Sequence, residues 1–277
     1  MLPIKKIYID SRFMSSDSKS SSDFKIDLLQ NIDLPEDTVF YMDDICIPYS
    51  WYVIDEDRNN KFYFKIGSTV YVKTIPAGNY STTTFNAIIV ALMNTVQGTF
   101  TANVNINSNT VGISTSIDSS NYQQIVDGKT VTYGITFEIL TDFQLGLLGY
   151  PKPYQSVNNY LNNDDATGKV NTKASPYVSE YVNLNPIRNL YITSGNLGSY
   201  NTMSVSGERG VFKTVPVRAH FNEMIYDDAV LGIDYLDCGK ESLSRIDFQL
   251  KDVFGNLINL HGNHWSFSLI FTKMKEE

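Results

Sequence analysis

The sequence predicts an all-β protein: a β-sandwich built from both ends of the chain, with a small αβ module inserted between its halves. Three observations predict it. Near the C-terminus, Ile246, Phe248 and Leu250 alternate with Arg245, Asp247, Gln249 and Lys251. Trp265, Phe267, Leu269 and Phe271 alternate with Ser266, Ser268 and Thr272. The first third of the chain alternates in the same way, and period two broken by turn residues means antiparallel strands with one buried face. Helical spacing is confined to one long stretch, where Phe85, Ile88, Ile89, Leu92, Met93 and Val96 share one face.

Taken in order, residues 7–9 form a short strand and the Ser- and Asp-rich stretch 11–22 a loop. Phe24, Ile26 and Leu28 alternate with Lys25 and Asp27, and 39–47 is a longer β-like run stopped by Pro48. A turn at 57–60 leads to Phe62, Phe64 and Ile66, which alternate with Lys61, Tyr63 and Lys65. After the turn PAGNY at 76–80, Ser81 or one of Thr82, Thr83 and Thr84 supplies a helix N-cap, and Gly98 is the expected stop. Phe100, Ala102, Val104 and Ile106 alternate, 107–109 turns, and Val111 and Ile113 return. Val131, Tyr133, Ile135, Phe137 and Ile139 alternate again, and a short capped helix over 141–149 ends at Gly149. Strands resume at 189–193, 211–217 and 224–226. The expected domains are a sandwich over 1–66 and 175–277, an inserted αβ module over 67–150, and a linker loop over 151–174.

Composition bounds the function. The 42% hydrophobic and 19% charged content suits a packed globular chain, and 18 Tyr with 15 Phe suits strands and large buried interfaces. A net charge of −8, with no basic run longer than Lys5–Lys6, argues against nucleic-acid binding, which needs clustered cations. Cys46 and Cys238 are too few for a disulfide scaffold and read as free thiols of a reducing compartment. The start MLPIKK runs at once into a strand, so no signal peptide is expected, and no apolar run approaches the ~20 residues that span a membrane. The expectation is a soluble protein made in the cytosol.

The residues that could carry chemistry are few. Three Asp pairs occur, Asp43–Asp44, Asp164–Asp165 and Asp227–Asp228. Neighbours on a strand point to opposite faces, so none is expected to act as an acid/base pair. The stretch from Asp55 to Asn59 resembles the start of a calcium loop but lacks the glycine and terminal Glu. His261 and His264 form an H-x-x-H on what reads as a hairpin tip at Gly262–Asn263, with no third ligand in view, and His220 lies elsewhere. The segment SGERG at 206–210 lacks the spacing of a phosphate loop. No catalytic, cofactor-binding or metal residue is therefore assigned, and no enzymatic activity is expected.

Several segments together carry a family likeness: YIDSRF at 8–13 with the Ser-rich stretch and DFKIDL at 23–28; YMDDICIPYSW at 41–51; IPAGNY at 75–80 with its helix; ILTD at 139–142 through LLGY at 147–150; and FQLKDVFGN at 248–256 through SFSL at 266–269. In that order the chain resembles the minor capsid (penton) proteins of virophages, polinton-like viruses and related integrating elements. The resemblance runs over nearly the whole length. It implies a jelly-roll sandwich, five copies closing each icosahedral vertex, an insertion carried on the outside, and no enzymatic activity. It implies a homopentamer that contacts a major capsid protein, a host-cell receptor as partner of the insert, and a place in the virion after assembly in the host cytoplasm or nucleus. It assigns no site residues. The alternative is a fibre or attachment module that binds host glycans through aromatic loops; a glycoside hydrolase is disfavoured by the lack of a plausible carboxylate pair.

Overall fold

A computed structural model describes residues 5–56, 58–97, 99–116, 122–133, 136–149, 156–161, 170–185, 187–197, 210–228, 235–239 and 242–273. Strand accounts for 46% and helix for 12%, so the chain is mostly β-sheet, as the alternation predicts. The elements are β1 (Lys5–Asp10), β2 (Asp23–Asp33), β3 (Thr38–Pro48), β4 (Lys61–Ile66), β5 (Thr69–Thr74), α1 (Thr82–Asn94), β6 (Phe100–Asn105), β7 (Thr110–Thr115), β8 (Tyr122–Val126), β9 (Lys129–Tyr133), β10 (Phe137–Ile139), α2 (Asp142–Leu147), β11 (Tyr177–Val178), β12 (Asn189–Thr193), β13 (Val211–Pro216), β14 (Met224–Asp227), β15 (Leu236–Asp237), β16 (Ser242–Lys251) and β17 (Ser266–Lys273). Among the described residues no helix is long and apolar enough to cross a membrane.

The chain divides into two compact units, the first Met1–Trp51 with Ile187–Glu277 and the second Tyr52–Pro186. In the first unit, one antiparallel sheet has the order β1-β17-β3-β14, with β15 also beside β3, and the other has the order β13-β12-β16-β2. The inward residues of both sheets build one core. Phe40 of β3 meets Phe212 of β13 edge-on, and Phe248 of β16 meets Phe267 of β17 at 4.9 Å between ring centroids. The four residues expected to be core, Trp265, Phe267, Leu269 and Phe271, are all buried there. The strand that carries them is less one-sided than its pattern: Ser268 and Ile270 are buried as well, because β17 lies between β1 and β3.

In the second unit, β10-β4-β5 and β11-β7-β6 form two three-stranded antiparallel sheets, and β8 pairs with β9. Helix α1 starts at Ser81, whose hydroxyl accepts the Thr84 N–H while the Thr84 hydroxyl accepts the Ser81 N–H, a reciprocal cap. It buries Phe85, Asn86, Ile89, Val90 and Met93, a face turned slightly from the expected one, and packs on β6 and β7. The helix ends at Asn94, before the expected stop at Gly98, which lies outside the described residues. Phe62 and Phe64 of β4 join Phe85, Ile89, Phe137 and Ile139 in the core, while Tyr63 on the opposite face packs with Leu140 and Leu145 beside α2.

The division falls at 51/52 and 186/187, not at 66/67 and 174/175. Strand β4 and residues 175–186, expected in the sandwich, belong to the second unit. Alternation marks β4 as a strand with a buried side but carries no information about which core it faces. The stretch expected as a linker is also partly core: Val157, Tyr160 and Leu161 are buried in the second unit. The strand expected across Val131 to Ile139 is two strands, β9 and β10, with Ile135 outside the described residues.

Candidate interaction surface on the first unit

Four segments of the first unit converge at one end of its two sheets. They are the β1–β2 connection (11–22), the exit of β3 (49–51), the β13–β14 connection (217–223) and the β16–β17 connection (252–265). Small polar side chains join them. The Ser11 N–H donates to the Trp265 carbonyl at 3.0 Å, the Trp265 N–H donates back to Ser11 Oγ at 3.1 Å, and that Oγ lies 3.0 Å from His264 Nδ1. The Trp265 indole N–H donates to the Ser21 carbonyl at 2.7 Å. The Ser50 hydroxyl donates to the Leu260 carbonyl, and His261 Nδ1 lies 2.7 Å from the Ser50 carbonyl. Tyr49 stacks on Trp51 and meets Phe221 edge-on. Apart from the Ser11–His264 contact between side chains, each of these hydrogen bonds satisfies a backbone group of the loops.

Between these loops lies a groove of about 530 Å³, lined by Met14, Ser20 to Ser22, Leu257 to Leu260, Gly262 and His264. Beside it, Asp252 builds a tight turn: its carboxylate accepts the N–H groups of Phe254 and Asn256, and Gly255 takes a φ of +83° that favours glycine. The turn presents Val253 and Phe254, and Phe254 is 66% exposed. Phe13 on the neighbouring connection is 78% exposed. Of the four large-exposure phenylalanines among the described residues, Phe13, Phe221 and Phe254 belong to this end. Exposed phenylalanines on three connections at one end of the sheets make this end the candidate interaction surface.

The end also holds Asp10, Ser11 and His264 close together, a grouping that sequence reading misses. The Arg12 guanidinium grips Asp10 through Nε and Nη2, the Arg12 backbone N–H donates to it as well, and these bonds, with a smaller contribution from His264, hold its carboxyl below the usual range. Ser11 is fully buried and its hydroxyl already accepts the Trp265 N–H, so the set clamps a loop and presents no nucleophile to solvent. No sequence signal announces it, since Ser11 and His264 are 253 positions apart.

The residues weighed from the sequence are dispersed. His261 and His264 are not on a hairpin tip: β16 and β17 belong to different sheets, and the connection between them crosses from one to the other. The two rings face different partners, while His220 lies in the β13–β14 connection, where its N–H donates to Glu223. Asp43 and Asp44 do not point to opposite faces. A bulge in β3, with Asp44 at φ +53°, lets both carboxylates reach Lys6 Nζ, at 3.8 and 2.6 Å. That hydrogen bond, with one from Ser268, keeps the Asp44 carboxyl below the usual range. Asp227 pairs with Lys213 at 3.7 Å, and Asp228 is exposed. Asp55 organises its own turn by accepting the Glu56 N–H and donating its N–H to Asn59. Neither Cys46 nor Cys238 is in a disulfide. Asp57, Asp164, Asp165 and residues 206–209 lie outside the described residues. Among the described residues, no three His, Cys, Asp or Glu side chains group as a metal site requires. Compared with known proteins, the chain matches no family model and no curated protein.

Proposed function

We propose that this chain is a structural capsid protein, a penton (minor capsid) protein whose five copies close the vertices of an icosahedral shell, and that it is not an enzyme. The observation that carries the reading is the strand order of the first unit. Numbering β1, β2, β3, β12, β13, β14, β16 and β17 from one to eight, the two sheets run 1-8-3-6 and 5-4-7-2. A jelly roll requires this order, because two Greek keys wrap the chain so that first and last strands become neighbours. It supports reading the first unit as a jelly-roll sandwich, an architecture used by viral capsid proteins. The second unit enters between the third and fourth strands, which supports a shell protein with an added module. The partners are other copies, a major capsid protein and, through the second unit, a host-cell receptor; the place is the virion.

A glycan-binding attachment module is the second reading. Tyr8 and Tyr226, 77% and 74% exposed on the sheet that contains β1 and β14, favour it, since lectins share the jelly roll and sugars stack on exposed aromatic rings. Sedimentation and particle mass, for the purified chain alone and mixed with shell protein, separate the two. A pentamer is expected. A stable trimer, or a monomer that ignores shell protein, would favour the attachment module.

A further inference from the structure

We propose that the loop end of the first unit is the surface through which one copy of this chain meets another, with the Phe254 turn and Phe13 of one copy packing against the groove of its neighbour. The inference rests on the capsid reading in taking that neighbour to be a ring partner.

Three observations carry it. The first is the apolar content: Phe13, Phe221, Val253, Phe254 and Leu257 are all exposed on the connections at this end, Leu257 and Met14, next to Phe13 in the chain, line the groove, and Phe254 lies on a turn that Asp252 fixes. A side chain presented on a preorganised turn loses little freedom when it docks.

The second is charge. The chain carries −8 overall, so two copies repel through most of their surface. In the connections 11–22, 217–223 and 252–264, the cations Arg12, Lys19 and Arg218 balance the anions Asp17, Glu223 and Asp252. This end is neutral, and copies can approach here without like-charge repulsion. Neutrality also argues against a strongly basic or acidic protein, or an anionic lipid surface, as the occupant, since each would need a counter-charge.

The third is size. At 150–250 Å² for a whole aromatic side chain, the exposed fractions amount to roughly 500 Å² of apolar surface per copy. In a ring the contact is heterologous, so that surface of one copy meets the groove face of its neighbour, about 1,000 Å² counted over both partners and just under the ~1,200 Å² at which stable pairs begin. One contact of this kind is weak. In a closed ring each copy makes two, and closure makes the last contact intramolecular.

The test uses the full chain and three matched substitutions, Phe13→Ser, Phe254→Ser and, as the control in the second unit, Phe143→Ser. Self-association is read by sedimentation over a wide concentration range, alone and with shell protein. The first two are expected to weaken association about tenfold or more, and the control to leave it unchanged. Circular dichroism and melting temperature should match wild type for all three, because every replaced ring is exposed. A photo-crosslinker at position 254 should join residues 13–22 or 257–264 of a second copy. Association of both loop-end variants at wild-type strength would overturn the inference and leave the penton reading standing. So would crosslinks from position 254 that go only to shell protein or lipid. A wild-type trimer would instead overturn the penton reading, and a 254-to-groove crosslink between its copies would keep this contact.

Discussion

Phe267 and Ser266 are adjacent on β17 and meet opposite fates. Phe267 is 2% exposed and packs against Phe248 and Trp265, whereas Ser266 is only half-buried on the other side of the strand. Removing a buried ring costs its transfer free energy and leaves a cavity, ~3–5 kcal/mol for Phe→Ala. That is a large share of a stability of roughly 5–15 kcal/mol. Phe267→Ala is therefore expected to be insoluble or unassembled, and Ser266→Ala near neutral. Soluble yield and thermal melts of the two variants check this; equal tolerance would mean that the wrong face is taken as core. The exposed histidines and paired aspartates, which draw the eye in the sequence, serve instead as local ties: His264 to Ser11, His261 to Ser50, and Asp43 and Asp44 to Lys6.

Among the elements, α1 shows how a short signal sets a boundary. Ser81 caps the helix with Thr84 as its reciprocal partner, and an N-cap Ser→Ala change typically costs ~1 kcal/mol. Ser81→Ala should lower the melting temperature of the chain by a few degrees, while Thr82→Ala, one position inside the helix, should move it less. Differential scanning calorimetry on both variants decides; an equal response would place the cap elsewhere. Strand β3 shows the reverse. Its apolar run predicts a regular strand, but the register slips opposite β17 and Asp44 adopts a left-handed conformation. Asp tolerates that conformation better than most residues. The slip depends on the partner strand, so nothing in 38–48 alone announces it.

At the scale of the whole molecule, charge dominates the expected responses. Asp44 beside Lys6, Asp10 beside Arg12, Asp27 beside Arg245, Asp17 beside Lys25 and Asp37 beside Lys273 all have carboxyls held below their ordinary value of 3.8. A lowered folded pKa gives stability that is present above the unfolded value and lost as pH falls through the folded one. Burial does the opposite for Tyr177, Tyr49 and Tyr41, pushing each phenol above 10, so their contribution is present below pH 10 and lost as pH rises beyond it. The melting temperature should thus be flat through neutral pH and fall below about pH 4 and above about pH 10. A melting temperature that peaked sharply near neutrality would contradict these assignments. Salt acts on assembly. In the proposed pentamer five copies at −8 each would carry −40 around one axis, and the Debye length shrinks from ~30 Å at 0.01 M salt to ~3 Å at 1 M. If apolar burial holds the ring, higher ionic strength favours it. Sedimentation at two salt concentrations checks the sign, and dissociation at high salt would point to ion pairs instead.

The sequence by itself determined most of the longer strands, the one long helix with its N-cap narrowed to Ser81 or one of Thr82, Thr83 and Thr84, and the buried row of Trp265, Phe267, Leu269 and Phe271. Each of these is a property of a single segment, written in a period of two or 3.6. It did not determine the sheet order, the boundary at Trp51, the crossover that carries His261 and His264, or the loop end where Phe13 and Phe254 stand exposed. Those depend on pairings such as Lys5 with Phe271 and Ser242 with Asp33, which join segments more than two hundred residues apart. Alternation tells a strand which of its sides is apolar. Only the folded chain, by closing long loops around a shared core, decides which strand lies beside it and which rings are left in water.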